Sequence, residues 1–419
     1  MAELASPPDV LISLYRAAVA RAHPRNLFRP ELLPAPPNGR TIVVGCGKAA
    51  AAMAAAFEAA WPHPVEGAVV TQYGHSFPTR FIEVLEANHP VPDAASVDAG
   101  RRMMALARSA GADDLVVALI AGGGSALLCL PADGITLADK QEMGRALLRC
   151  GAPITEINRV RRAMSAIKGG RLAAAIAPAP CVTYMISDVP GDDPAIIGGG
   201  PTVLTPEDAG AALEAIARYH LPADARLEAA IRANPPPASL AGDTTYHMIA
   251  TPGMALEAAA AEAEARGIRV YNLGDRIEGE AREVAADMAR RVRGMAEESG
   301  EGPDRPFALI SGGETTVTLK GTGRGGRNGE FLLALALALD GAPGIWALAC
   351  DTDGIDGSED NAGAVIGPDI LVRAEAAGLD ARAYLENNDA YGFFAALKAL
   401  VVTGPTTTNV NDFRAILVT

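Results

Sequence analysis

The sequence has no excess of positive charge: 36 Lys and Arg stand against 50 Asp and Glu over 419 residues, a formal net charge of −14. Nothing in that balance would neutralise a phosphate backbone or an anionic bilayer, which argues against nucleic-acid and membrane-surface binding. An anionic small molecule would instead need a local basic pocket. No uncharged apolar run has membrane-spanning length and no basic-then-apolar pattern opens the chain, so the expected location is cytoplasmic. Cysteine is scarce. Cys46, Cys129, Cys150, Cys181 and Cys350 are far apart and four of them sit in or beside apolar runs, as core residues in a reducing compartment do, rather than disulfides or a thiolate metal cage. No lysine is followed by Ser or Thr, so a Walker A loop is missing. Ser125 lacks the GxSxG surround of a hydrolase nucleophile. The acidic run after Cys350 lacks the ligand order of an EF-hand.

What is present suits a soluble α/β protein with small-molecule chemistry: 49% hydrophobic residues, abundant Ala and 44 Gly. The chain is organised around residues 307–339, which read as an apolar strand (307–310), a Gly turn, a β-branched strand (315–319), a Gly-rich loop with Lys320, Arg324 and Arg327, and a Leu/Ala helix opening near Asn328. Six glycines between Gly312 and Gly326, among them Gly313 and Gly325, let backbone NH groups approach a ligand, and the helix N-terminus points its free NH groups the same way. This is an anion site for phosphate or carboxylate, with Glu314 beside it.

Earlier in the chain, strand 41–44 runs into Gly45, Cys46, Gly47 and Lys48 and then an Ala-rich helix. GxGxxA matches a relaxed dinucleotide fingerprint, but the acid expected about 20 residues on is replaced by Thr71 and Gln72. Lys48 at that turn fits a phosphate better than a ribose. His89, in a loop fixed by Pro90 and Pro92, reads as a loop hydrogen-bonding residue. Strand 115–120 empties into Gly122, Gly123, Gly124 and Ser125, bare backbone at a sheet's carboxyl edge. Residues 158–171 reverse the local sign with Arg159, Arg161, Arg162, Lys168 and Arg171, and Arg161, Ser165 and Lys168 share a helical face. Strand 182–186 ends in Asp188, Asp192 and Asp193, and strand 346–350 ends in Asp351, Asp353, Asp356, Glu359 and Asp360. Carboxylates at strand ends suit Mg²⁺ with phosphate oxygens. Asn409 and Asn411 follow Gly404 and Pro405 near the last strand.

Three prolines at 235–237 mark a domain boundary, giving 1–238 and 239–419. The halves echo one another in order: LIAGGGS and LISGGET, ISDVPGDD and ACDTDGIDGSED, GGGPTV and VTGPTT, the pattern of a diverged duplication. The expected fold is α/β, two α/β/α layered domains with mostly parallel sheets and an interdomain cleft.

VGCGKAA, HPVPD, AGGGSALL, NRVRRAMSAIKGGRLA, SDVPGDD with GGGPTV, SGGETTV with GRGGRNGEF, CDTDGIDGSEDNAGA and VTGPTTTNVNDF occur in one order and cover nearly the whole chain. Together they resemble the class II glycerate 2-kinases. The resemblance implies an N-terminal Rossmann-like glycerate-kinase domain, a C-terminal MOFRL domain, and ATP- and Mg²⁺-dependent phosphorylation of D-glycerate at its 2-hydroxyl to 2-phosphoglycerate and ADP. It matches Lys48 and Arg327 to catalytic basic residues. Members have also been labelled hydroxypyruvate reductase, so the alternative is an NAD(P)H-dependent reductase resting on GxGxxA. The family's Asn-Asp-Ser-Tyr reads Asn388, Asp389, Ala390, Tyr391 here, and Gly199 replaces an expected Ala or Ser. Arg161, Arg162 and Arg327 are candidates for the glycerate carboxylate. Asp188, Asp192, Asp351 and Asp353 compete for metal and hydroxyl proton, with Asp188 taken as catalytic and the other three as metal ligands. Gly45, Gly47, Gly122, Gly123, Gly124, Ser125, Arg161, Lys168, Gly312, Gly313, Glu314, Gly325, Asn409 and Asn411 form the expected substrate and nucleotide set. A homo-oligomer is left open.

Overall fold

Apolar runs without polar alternation need cover on both faces of a sheet. Strands β1 (Thr41–Cys46), β4 (Leu115–Ala121) and β5 (Cys181–Ile186) are buried at every residue for that reason. With β2 (Glu66–Gln72), β3 (Ile82–Ala87) and β6 (Thr244–Ala250) they form a six-stranded sheet in the order β3-β2-β1-β4-β5-β6. The pairs β1·β2, β1·β4, β2·β3 and β4·β5 are parallel. Helices such as Ala50–Ala60 and Ala94–Arg108 flank it. The sequence gives little sign of β3, because acids at Glu83 and Glu86 interrupt its apolar residues on an edge strand. This computed structural model describes residues 6–205, 209–240, 242–298 and 306–419.

The second sheet draws on β7 (Arg269–Asn272), β9 (Phe307–Ser311), β11 (Ile345–Asp351), β12 (Gly363–Ile366), β13 (Leu400–Val401) and β14 (Asp412–Val418), in the order β13-β12-β11-β14-β9-β7. Between β7 and β11 in the chain, β8 (Gly279–Glu280) and β10 (Thr315–Thr316) make a separate two-stranded pairing. The expected strand over 315–319 is therefore only two residues long: beyond Thr316 the chain leaves the ladder, and the Thr318 NH binds the Glu280 carboxylate instead.

The α/β layering is as the sequence implies, but the second sheet departs in strand direction. Four of its pairings are antiparallel and only β7·β9 is parallel. The echo between the halves is thus one of loop chemistry and not of sheet topology. The helix Arg327–Leu339 is apolar nearly all round and buried along most of its length, as such helices are. It packs with the helix Ala281–Glu298 over Phe307, Leu309 and Phe393.

The chain divides into two compact units, one of residues 24–249 and the other of residues 1–23 with 250–419. This shifts the boundary expected at 238/239 and makes the second unit discontinuous. The Pro-rich segment is not the divide because β6, beyond it, completes the first sheet. The helix Pro7–Ala22 joins the second unit because its buried face, Leu11, Leu14, Tyr15 and Ala18, packs on the helix Pro252–Ala265 and on β11 and β14.

Candidate active site

Strand order 3-2-1-4-5-6 places a topological switch between β1 and β4, where ligands of open α/β sheets bind beyond the carboxyl ends. Both strands end there in glycine loops. The Lys48 NH donates to the Gly122 carbonyl at 2.8 Å, and the Thr71 hydroxyl donates to the Lys48 carbonyl at 3.1 Å, so the lysine's backbone is pinned from two sides. Gly47 has φ +126° and packs on Ala121 so closely that a Cβ would lie 2.5 Å from its carbonyl oxygen.

Three side chains lie against the bare Gly122 and Gly123 backbone. A Cβ on Gly122 would overlap the Asp188 carboxylate, and one on Gly123 would lie 3.2 Å from both the Lys48 Cγ and the His89 Nε2. Lys48 and Asp188 are half-buried. A cation, a carboxylate and an imidazole thus surround glycine at the sheet's carboxyl edge. Gly124 starts the short helix Gly124–Leu127, with Ser125 half-buried as its second residue. Gly45 has another role: it is a buried β1 residue whose missing side chain lets β1 pass the Leu119 carbonyl.

Lys168 departs from its expected place at a ligand. It is 1% exposed, and its Nζ donates to the Leu128 carbonyl at 3.0 Å and the Gly198 carbonyl at 3.2 Å. Burial, with the like charge of Lys140, pulls its pKa down to about 8. Gly198, Gly199 and Gly200 all have φ between 60° and 80°, and the aliphatic stem of Lys168 lies where a Gly199 side chain would be. That explains glycine where Ala or Ser was expected. Arg161 is half-buried, its pKa is lowered by burial, and its guanidinium meets no carboxylate among the described residues.

In the second unit, Arg327 at the start of its helix is bracketed by acids. Its Nε binds Asp412 Oδ1 at 2.9 Å, one terminal nitrogen binds Asp351 Oδ2 at 2.9 Å, and the other pairs with Glu314. Burial alone would lower the Arg327 pKa, but Asp412, Asp351 and Glu314 outweigh it and raise it. Burial, reinforced by Asp353 and Asp412, raises the Asp351 pKa well above the usual carboxylate range. The Asp351 Oδ1 also accepts from the Asp353 NH at 3.0 Å, and its carbonyl accepts from the Tyr15 hydroxyl at 2.9 Å.

The helix N-terminus expected to hold a ligand anion already holds one of the chain's own. Asp356, 1% exposed, accepts from the Asn328 NH at 3.0 Å and the Gly329 NH at 2.8 Å. Burial pushes its pKa up to about 6. Gly326 is required because a Cβ there would overlap that carboxylate. Gly312 and Gly313 turn their carbonyls to Arg414. Gly325, with φ +146°, lies against Tyr391, in a loop strapped down by Asn387, Asn388 and Asp389 side chains bonded to the NH groups of Lys320, Gly321, Thr322 and Arg324. Ala390, buried, begins the helix Ala390–Ala396 that follows these residues. Asn409 and Asn411 are buried in a turn beneath the acidic loop, the Asn411 NH bonded to Asn409 Oδ1 and its carbonyl to Thr352.

The expected metal ligands are Asp192, Asp351 and Asp353. Asp192 lies in the first unit and Asp351 and Asp353 in the second, and among the described residues no group of three or more His, Cys, Asp or Glu could hold a metal ion. Of the other acids in the loop after Cys350, Asp356 caps a helix, Asp360 accepts from the Tyr391 hydroxyl and Glu359 pairs with Arg324. Asp412 and Arg414 were missed. The signal was an arginine in the apolar run DFRAILV.

Residues 10–233 match the model for a domain of unknown function, DUF4147, and residues 307–412 match the MOFRL family. The chain is 37% identical to a D-glycerate 2-kinase of Thermotoga maritima over 91% of both chains. It is 52% identical to a putative hydroxypyruvate reductase of Agrobacterium vitis over 99% of this chain and 95% of that one. A crystal structure of a glycerate kinase from Thermotoga maritima superposes with a TM-score of 0.90 at 35% identity, covering 98% of this chain and 99% of that one. The chain belongs to the class II glycerate kinase family.

Proposed function

We propose that this protein is a glycerate 2-kinase, transferring the γ-phosphoryl group of ATP to the 2-hydroxyl of D-glycerate. The observation that carries the reading is the placing of Asp188 against Gly122 and of Lys48 against the adjacent Gly123 at the switch point of a parallel sheet, in a chain alike along nearly its whole length to a D-glycerate 2-kinase. The glycerate oxygen attacks phosphorus, the bond to the β-phosphate oxygen breaks, ADP leaves, and the hydroxyl proton passes to the Asp188 carboxylate. Phosphoryl transfer asks mainly for positioning and positive charge. Lys48 supplies that charge in the first unit and Arg327 in the second, while Arg161 takes the substrate carboxylate. Mg²⁺ arrives with the nucleotide, a cation that keeps several waters and asks only one or two carboxylates of the protein. Asp192 in the first unit, or Asp351 or Asp353 in the second, would provide them.

The reductase name carried by a close relative is the second reading. At the place where a dinucleotide site would put its acid, Thr71 is buried and spends its hydroxyl on the Lys48 carbonyl and Gln72 bonds the His75 ring, so no carboxylate stands there for a ribose. All five cysteines are free thiols and no helix among the described residues is long and apolar enough to cross a membrane, which supports placing the reaction in the cytoplasm. The test is a coupled assay with MgATP and D-glycerate, product position read by phosphorus NMR, beside NADH with hydroxypyruvate. We expect 2-phosphoglycerate in the first and no NADH loss in the second; the reverse result sinks the kinase.

A further inference from the structure

Arg414 is 1% exposed in the middle of the second sheet, on a strand otherwise apolar from Phe413 to Val418. Its guanidinium donates to the carbonyls of Gly312 at 3.2 Å and Gly313 at 3.4 Å, to the Thr315 hydroxyl at 3.3 Å and to Asp412 Oδ2 at 2.7 Å, and it stands 5.4 Å over the Phe331 ring. Burial lowers its pKa, Asp412 offsetting part of the effect, and its Nε meets no partner. A buried arginine of this kind is a poor device for stability, since apolar residues of similar volume replace buried ion pairs at little cost.

Asp412 has no exposed side-chain surface, and its other oxygen accepts from Arg327 Nε at 2.9 Å and Asn328 Nδ2 at 2.8 Å. Arg414 therefore fixes the Asp412 carboxylate from behind, and Asp412 fixes the Nε edge of Arg327. We propose that Arg414 is a positioning residue which, through Asp412, holds the Arg327 guanidinium in register for the anionic group that it serves. The planar fork matters as much as the charge: four acceptors from two segments, at 312–315 and 412, gather on its two terminal nitrogens, more than the three donors of an ammonium group could meet from one point. The inference rests on the reading that Arg327 acts in phosphoryl transfer.

The test is a double-mutant cycle of Arg414→Lys with Arg327→Lys, alongside ¹⁵N-arginine NMR in which the Arg327 Nε–H signal is assigned by its loss in R327K. In R414K we expect kcat to fall about tenfold or more with both KM values held within about threefold, and in the R327K background the same change to cost less than about twofold, because coupled residues are non-additive. The Arg327 Nε–H should be protected from water exchange in the unaltered protein and lose that protection in R414K. Equal losses in both backgrounds, a kcat within about twofold of the unaltered protein, or an Arg327 signal that R414K leaves unchanged would overturn the relay. Where circular dichroism shows R414K unfolded, Asp412→Asn takes its place in the cycle, and an unprotected Arg327 signal in the unaltered protein overturns the proposal by itself. If the unaltered protein forms no 2-phosphoglycerate, the kinase reading fails while the NMR arm still decides the relay.

Discussion

Lys48, Asp188 and Arg161 each have one assigned task, and each task has its own kinetic signature. Lys48→Ala is expected to lower turnover by well over tenfold, on the order of the 10²–10³ lost when a group serving transition-state charge is removed, with an unchanged circular dichroism spectrum. Near-normal kinetics would remove Lys48 from the mechanism. Arg161→Ala should raise the KM for D-glycerate about tenfold or more while leaving that for MgATP alone, the mark of a lost ground-state contact to one substrate; equal rises in both would move the carboxylate elsewhere. Asp356 gives a pH prediction. Its pKa of about 6 in the fold lies above its ordinary 3.8, so its contribution favours the fold as pH falls from 6 towards 4 and is lost as pH rises through 6. Asp114 and Asp139, both held down at about 2 chiefly by Arg40 and Arg226, act oppositely, their stabilisation being lost as pH falls below 4. Melting temperatures from pH 4 to 8 should show the difference between Asp356→Asn and the unaltered protein growing through that upper window, and parallel curves would contradict the assignment.

Loops and their supporting elements set where those side chains stand. Gly122→Ala would drive a methyl group into the Asp188 carboxylate without touching the buried strand before it, so the expected result is a large loss of turnover with a small change in melting temperature. A variant with full activity would mean that Asp188 is free to move aside. Asp356→Ala leaves the Asn328 and Gly329 NH groups buried and unmet, at a cost of about 1–3 kcal/mol, measurable by urea unfolding. This is also the scale at which sequence and structure part company. Strands, the Gly-rich loops and the basic reversal at 158–171 were legible because apolar runs, glycine clusters and charge are local properties. The fate of each charge was not. Asp356 looks like any other acid of its loop until the fold carries it across to a helix 28 positions earlier, and Lys168 looks like a ligand cation until its ammonium is seen between two carbonyls. Asn409 likewise reads as a ligand group, and its side-chain oxygen accepts from the Asn411 NH. Proximity across the sequence decides these cases, and no spacing rule reports it.

At the scale of the molecule, the surprise is the discontinuous second unit, which no composition shift marks. Residues 250–419 made alone should expose the faces of β11 and β14 and of the helix Pro252–Ala265 that the helix Pro7–Ala22 covers. We expect that fragment to melt lower than the same fragment fused to residues 6–23 through a flexible linker, and equal melting temperatures would make the helix an accessory. The Tyr15 hydroxyl on the Asp351 carbonyl ties the same helix to the acidic loop. The pairing of β14 between β11 and β9 has a further meaning for how the protein comes into being. Synthesis runs from the N-terminus, and residues 24–249 can close their sheet while the ribosome is still adding the rest. The second sheet cannot: β14 follows in the chain every strand that it joins, so β9 and β11 each keep an open edge until it emerges, and the helix Pro7–Ala22, made before that whole sheet, waits for its seat. A chaperone that shields strand edges during that interval would act on this unit and not on the other.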